Sequence, residues 1–275
     1  MTYRIEAVES SKSPSFEEAY GALAAEFGPR GELERREVVV RWLDEPSSTP
    51  TSSSGEELRR TYHLLVARDE RGSLAGVRDC HVVWDHREAI AVVYLAHALV
   101  LPPYRRTGLG ALLRSMPAAI ARRVLGEAGM DASKVDILFA AEMEPASRGD
   151  EASIVRLIAY GRDGFAAIAP AALPYWQPDF RDLDGVLASG GEPRPIRLLA
   201  VVRFLGHEGA LSLPKRLARA FVTHLYAVFA THVRPDHLGA LETRTLGVLD
   251  ALGTPEVPLL PLPRTIDDEA IERLR

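Results

Sequence analysis

The sequence predicts an α+β fold, a central mixed and mostly antiparallel sheet flanked by helices, and three observations carry that prediction. Strand-length runs follow one another across short polar turns, as between residues 60–68 and 74–85. One run, Ala89 to Leu101, is nearly all apolar, as expected of a central strand covered on both faces. Helix-period stretches follow it, separated by further short strands, and the hairpin connections argue against a doubly wound sheet.

Taken in order, Tyr3 to Val8 alternates and predicts a first strand. Phe16, Tyr20, Leu23, Ala24 and Phe27 recur at helical spacing, and Gly28-Pro29 stops that helix. Glu37 to Leu43 suits either a strand or a helix end, and Pro46 to Gly55 reads as a Ser/Thr/Pro-rich loop. Arg60 to Arg68 and Leu74 to Asp85 form a hairpin over Asp69-Glu70-Arg71-Gly72. His86-Arg87-Glu88 turns the chain into the apolar run. Gly108 to Leu125 is a helix with Leu109, Leu112, Leu113, Met116, Ile120 and Val124 on one face, and Pro117 is expected to kink or split it. Val135 to Met143 is a buried strand, Glu151 to Tyr160 a short helix and Gly164 to Ile168 a strand. A Pro- and aromatic-rich loop runs from Pro170 to Pro195, and Ile196 to Phe204 is the last strand. Leu213 to Val233 and Leu238 to Leu252 read as helices, and Pro255 to Pro263 as an extended tail. The expected division is therefore residues 1–206 as the α+β domain and 207–275 as a helical C-terminal extension with a Pro-rich tail.

Composition bounds the function. The formal net charge of −5 gives no reason to expect nucleic acid or an anionic membrane as a partner. The lone Cys80 excludes an internal disulfide and a thiolate metal cluster. The N-terminus lacks an apolar signal core and the longest apolar run is too short to span a bilayer, so a cytoplasmic protein is expected. His224, His232 and His237 are too irregularly spaced for a metal site, and no metal is expected.

The sharpest motif follows the apolar run. Leu101-Pro102-Pro103-Tyr104-Arg105-Arg106-Thr107-Gly108-Leu109-Gly110-Ala111 leads from a buried strand into a helix. A diphosphate needs several donors aimed at one place, and a turn of inward amides at a helix N-terminus supplies them. Gly108 and Gly110 allow close backbone approach, and Arg105 and Arg106 add charge and fork-shaped donors. A third glycine for a dinucleotide fingerprint is missing, and so is a Gly-Lys-Ser/Thr phosphate loop.

This segment resembles the coenzyme-A motif of the GNAT superfamily of N-acetyltransferases, Arg/Gln-x-x-Gly-x-Gly/Ala, with Arg105, Gly108 and Gly110 in its fixed places. A second segment, Ala159-Tyr160-Gly161-Arg162-Asp163-Gly164-Phe165, resembles the superfamily's later signature of a helix-end tyrosine followed by Gly-Phe. The resemblance covers about residues 1 to 204 and says nothing of residues 213–275; Pro117 departs from the usual uninterrupted helix. It implies a GNAT-like fold and acetyl-CoA, or another acyl-CoA, as co-substrate. It also implies direct transfer to a primary amine in a ternary complex. Thr107, Leu109 and Ala111 would complete the diphosphate turn, and backbone groups near Leu99, Val100 and Leu101 would hold the pantetheine arm. Tyr160 would protonate the departing thiolate.

The base that deprotonates the amine has three candidates. Glu142 and Glu144 alternate on one face at the end of their strand, where they could take a proton, bind a cationic substrate or remain solvated. His97 interrupts an apolar run; buried and neutral it could accept a proton, or it could be a satisfied core histidine. Strand parity places His97 with Leu99 and Leu101, and Tyr94 on the opposite face. Asp85-His86 is expected at a hairpin tip on the surface, and Cys80 and His81 cannot pair because adjacent strand residues diverge. Tyr175, Trp176 and Phe180 could line an acceptor pocket for a small-molecule or peptide amine, or simply pin their loop. The apolar stripe from Leu217 to Phe229 must be covered, by the sheet or in a homodimer. The alternative function is an acyl-CoA-binding sensor or assembly protein without turnover.

Overall fold

The computed structural model describes residues 2–45, 58–146, 151–181 and 190–274. The expected loop Pro46 to Gly55 lies outside them, as does part of the loop 170–195.

Elements in chain order are β1 (Arg4–Val8), α1 (Pro14–Phe27), α2 (Arg36–Asp44), β2 (Arg59–Arg68), β3 (Leu74–Asp85), β4 (Ile90–Tyr94) and β5 (Ala98–Val100). Then come α3 (Leu109–Glu127), β6 (Asp136–Met143), α4 (Glu151–Arg162), β7 (Ala166–Ile168), β8 (Tyr175–Gln177) and β9 (Ile196–Phe204). The chain closes with β10 (Ser212–Pro214), α5 (Lys215–Phe229), α6 (Pro235–Ala251), β11 (Glu256–Pro261) and α7 (Asp268–Glu272). Glu37 to Leu43 thus resolves as helix. Among the described residues the strands form one sheet in the order β1-β2-β3-β4-β6-β9-β7-β11-β10, with β5 on β3 and β8 on β9. Among the described strands only β4 and β6 pair in parallel, with α3 in the connection between them. The architecture is α+β.

Local chemistry sets the ends. The Ser13 hydroxyl accepts from the Phe16 amide at 3.2 Å and Pro14 opens α1. In the β2–β3 turn, Asp69 Oδ1 accepts from the amides of Arg71 and Ser73 while Gly72 takes φ +81°. Asp85 does the same for Arg87 and Glu88, and is buried under its own turn rather than on the surface as expected; His86 is exposed.

The apolar run is not one strand. β4 pairs with β3 from His81↔Tyr94 to Asp85↔Ile90, and β5 pairs with β3 at Arg78↔Ala98. Two residues of β3, Asp79 and Cys80, therefore face three, Leu95 to His97, which is a β-bulge. The extra residue inverts the alternation. Tyr94 and Leu99 point into the same core instead of opposite ones, overturning the parity expectation.

Each face of the sheet has its own core. One holds Phe16 and Leu23 of α1, Trp42 of α2, and Phe221, Leu225 and Phe229 of α5. The other holds Ile120 and Val124 of α3, Leu157 of α4 and the C-terminal Ile271 and Leu274. Pro117 neither splits α3 nor leaves its buried stripe, which runs Leu109, Leu113, Pro117, Ile120, Ala121, Val124; Leu112 is exposed instead. One missing amide is not enough to divide a helix of 19 residues packed along its length.

The segment 207–275 is more than helical: β11 pairs with β7, and the supposed Pro-rich tail is that strand. The apolar stripe of α5 is buried against the chain's own sheet and α6. Among the described residues no helix is long and apolar enough to cross a membrane.

Candidate functional site: a parted sheet beside a turn of free amides

The bulge opens the sheet. β4 and β6 stay paired through Tyr94↔Ala140, with a last bond from the Leu95 amide to the Ala140 carbonyl at 2.8 Å. Beyond it the chain turns away from β6. The His97 amide donates to Asp79 Oδ1 at 2.6 Å, and β5 bonds only to β3, while β6 continues to Met143 against β9 alone. The Leu101 amide donates to the Ala75 carbonyl and the His97 carbonyl accepts from the Asp79 amide, so odd-numbered residues face β3. Antiparallel alternation then turns the amides of Ala98 and Val100 into the gap. Of the backbone expected to meet a pantetheine arm, Val100 faces the gap, whereas Leu99 and Leu101 spend their amides on β3.

The Arg-Gly turn sits at the mouth of this gap. Arg106 holds φ +64° and Gly108 holds φ +88°, and Gly108 caps α3. The amides of Ala111 and Leu112 bond back to the Gly108 carbonyl, and those of Leu109 and Gly110 meet no acceptor among the described residues. Thr107 is pinned from both sides: it donates to the Tyr104 carbonyl at 2.6 Å and accepts from the Tyr3 hydroxyl at 2.7 Å. Tyr104 in turn donates to Asp69 at 2.8 Å. Arg105 and Arg106 are exposed, and Arg105 Nε reaches the Val100 carbonyl at 3.3 Å. A Cβ on Gly108 would meet nothing, so the demand there is the positive φ.

Tyr160 lies in the last turn of α4, part-buried, with Phe165 edge-on at 4.9 Å. Its hydroxyl has no hydrogen-bond partner among the described residues. An ion pair between Arg114 of α3 and Asp163 fixes the end of α4 against α3. An open groove beside this pair is lined by Ala111, Ser115, Arg162, Arg264 and a second ion pair, Arg203 with Glu208 at 2.8 Å. The donor set of the turn fits a diphosphate: free amides at a helix start and two exposed guanidinium groups.

On the opposite face the gap is bordered by a buried polar network. Glu142 accepts from Tyr94 at 2.5 Å, Tyr175 at 2.7 Å and Gln177 at 3.3 Å. Burial raises its carboxyl, although these three donors pull the other way. Burial also pushes the phenols of Tyr94 and Tyr175 well up, reinforced by the Glu142 charge. Glu144 is separate: it pairs with Arg156 of α4, each with over two-fifths of its side chain exposed.

His97 differs from the expectation of a neutral imidazole. Its Nδ1 donates to Asp79 Oδ2 at 3.2 Å and its Nε2 to the Glu32 carbonyl at 2.9 Å, so both nitrogens carry protons. Burial opposes the charge, but the Asp79 carboxylate, Glu34 and the Glu32 carbonyl outweigh it and hold the group at about 9. Asp79 stays below the usual carboxylate range despite burial, because His97 sits against it; it also accepts from the Tyr62 hydroxyl at 3.0 Å. As an imidazolium His97 cannot accept a proton. It anchors the loop before α2 to the bulge.

Sequence reasoning missed Glu34, Tyr62, Asp79, Tyr94 and Gln177; Tyr175, named for its aromatic loop, is found with its hydroxyl on Glu142. Arg78-Asp79-Cys80-His81 inside an apolar strand was the available signal for Asp79, since a buried polar run must have partners.

No family model matches the sequence, and no curated protein matches it. Similar solved structures include an aminoglycoside acetyltransferase from an uncultured soil metagenomic sample, in complex with trehalose. It is 14% identical over 57% of this chain and 86% of that one, with a TM-score of 0.36. A Bacillus subtilis acetyltransferase in complex with CoA is 15% identical over 74% and 99%, with a TM-score of 0.40. Arabidopsis thaliana Naa50, in complex with a bisubstrate analogue, is 13% identical over 74% and 99%, also at 0.40. The chain resembles these acetyltransferases distantly, at 13–15% identity.

Proposed function

We propose that the protein is an N-acyltransferase that moves an acyl group, most simply acetyl, from an acyl-CoA to a primary amine. The observation that carries this reading is the parting of β5 from β6 directly beside the free amides of the Arg105–Gly110 turn. A long thioester with an anionic end fits that arrangement: the turn meets the diphosphate, and the gap admits a narrow, amide-bearing arm.

Arg105, Arg106 and the amides from Thr107 to Gly110 would hold the diphosphate, with Ala111 allowing close approach at the first helical turn. The gap-facing backbone between Leu99 and Leu101, chiefly at Val100, would bond the arm, and an amide there would polarise the thioester carbonyl. The amine nitrogen attacks that carbonyl carbon, the C–N bond forms and the C–S bond breaks. Tyr160, with its unengaged hydroxyl, gives its proton to the leaving sulfur. Glu142 stands at the far lip of the gap, where its carboxylate would orient an incoming ammonium by charge-assisted hydrogen bonding. The small-molecule or peptide nature of the amine is set by loops around that lip.

Incubation with acetyl-CoA and a mixed amine panel, read as free thiol, tests the reading. Amine-dependent thiol release is expected. Tight coenzyme binding with no release on any amine would favour an acyl-CoA sensor instead.

A further inference from the structure

Arg114 of α3 joins two parts of the site that lie far apart in the chain. It follows Gly110 at i+4, so the two share one face of α3. Long side chains on a helix lean back toward its N-terminus, and a glycine there leaves the lane over the first turn open. The head of Arg114 fills that lane. Its Nη1 lies 3.3 Å from where a Cβ on Gly110 would be, and Val100 Cγ2 lies 3.7 Å from the same point. Nη1 therefore stands beside Gly110, whose amide meets no acceptor among the described residues, at the place where the turn meets β5.

The other edge of the guanidinium is held. Nε donates to Asp163 Oδ2, whereas Nη1 and Nη2 meet no hydrogen-bond acceptor among the described residues. The Arg114 side chain is 22% exposed and lines the open groove beside the end of α4. Its remaining donors are thus fixed in place, accessible and unspent.

Asp163 lies in the turn that closes α4 after Tyr160. Its amide donates to the Tyr160 carbonyl at 3.0 Å, and the Phe165 amide donates to the same carbonyl at 3.1 Å. Phe165 also packs edge-on against the Tyr160 ring. Through Asp163, Arg114 is attached to the backbone that sets where Tyr160 points.

We propose that Arg114 is a third guanidinium of the coenzyme site, which binds the diphosphate through Nη1 and Nη2 while Nε stays on Asp163, and that this bridge lets diphosphate binding position Tyr160; this rests on the acyl-transfer reading. A guanidinium suits both tasks at once, because its donors lie on separate edges of one rigid plane. An ammonium is a point charge on a flexible stem and cannot span the two partners in the same way. Arg114 touches the diphosphate and not the reacting atoms, so it acts on thiol departure only through the Tyr160 turn.

The test compares acetyl-CoA with acetyl-pantetheine, which lacks the diphosphate, as donors to one amine. The proteins are full-length wild type, Arg114→Gln, Arg114→Lys and Asp163→Asn, with binding of CoA and of pantetheine measured by calorimetry. Arg114→Gln is expected to weaken CoA about 10-fold and to leave pantetheine within about twofold of wild type. In wild type kcat should be higher with acetyl-CoA than with acetyl-pantetheine, and that ratio should shrink to within about twofold in Asp163→Asn while CoA affinity stays within about threefold. Arg114→Lys keeps the charge without the bridge, so it should weaken CoA only about threefold and lose the kcat ratio; it decides the matter if Arg114→Gln does not fold. Loss of CoA and pantetheine binding to the same degree, or of neither, would overturn the diphosphate contact. A kcat ratio that survives intact in Asp163→Asn, or a wild type with equal kcat for both donors, would overturn the link to Tyr160. A wild-type protein that binds CoA and acylates no amine marks a different failure, that of the acyl-transfer reading; the link to Tyr160 falls with it, and the binding comparison still decides the diphosphate contact.

Discussion

The two sides of the gap are built from different materials. The α3 side is backbone: amides of one short turn, held by Gly108 in a left-handed conformation and braced by Thr107 and Tyr104. The opposite side is side chain. Glu34, Asp79, His97, Glu142 and Tyr175 come from five separate places in the chain and meet only in the fold. A backbone site tolerates most side-chain changes but no loss of its dihedrals. A side-chain network is the reverse: each member is replaceable in size but not in charge. Variants on the two sides should therefore fail in different assays.

The largest effect is expected from the network, as stability. Asp79→Asn leaves a buried imidazolium without its counter-charge and should cost about 3–5 kcal/mol in urea unfolding. The same pair sets a pH dependence. The folded value of His97, about 9, lies above the ordinary 6.5, so folding favours the protonated form. Its stabilisation is full below about 6.5 and is lost as the pH rises through 9. Glu34, raised to about 7, acts in the same direction, losing its contribution between about 4.5 and 7. The unfolding midpoint should thus fall from pH 6 to pH 9 by an amount worth up to about 4 kcal/mol, about 3 of it from His97, and His97→Gln should flatten that slope.

On the turn side, Gly108→Asp should weaken CoA binding on the order of 100-fold by calorimetry, because it adds a negative charge and strains φ +88°. Undiminished affinity would mean the coenzyme binds elsewhere. Tyr160→Phe should lower kcat roughly 10- to 100-fold while leaving CoA affinity unchanged. The smallest change is Gly110→Ala. Its Cβ would meet Arg114 Nη1 at 3.3 Å and Val100 Cγ2 at 3.7 Å, contacts a flexible side chain can relieve. It should leave folding nearly unaltered and reduce CoA affinity only several-fold, by about 1 kcal/mol.

This division also explains what the sequence could disclose. The turn was readable because seven consecutive residues, Tyr104 to Gly110, carry the whole of it. Tyr160 was readable for the same reason, through its spacing to Gly164 and Phe165. The bulge was not, because Leu95-Ala96-His97 continues an apolar run with no turn residue in it. Missing that one extra residue misplaced Tyr94 and, with it, the link to Glu142. His97 looked like a neutral core histidine because its two acceptors, Asp79 and the Glu32 carbonyl, lie 18 and 65 residues away. β11 was hidden by its prolines, which an inner strand seldom carries. Glu34 sits in a loop with no pattern around it at all.

Acyl transfer is tested most directly by mass-spectrometric detection of product when the protein is mixed with acetyl-CoA and a panel of primary amines. An N-acetylated amine is expected to form in step with free CoA, with the rate cut by Tyr160→Phe and coenzyme binding cut by Gly108→Asp. Binding of CoA at the turn with no acetylated product from any amine would contradict it.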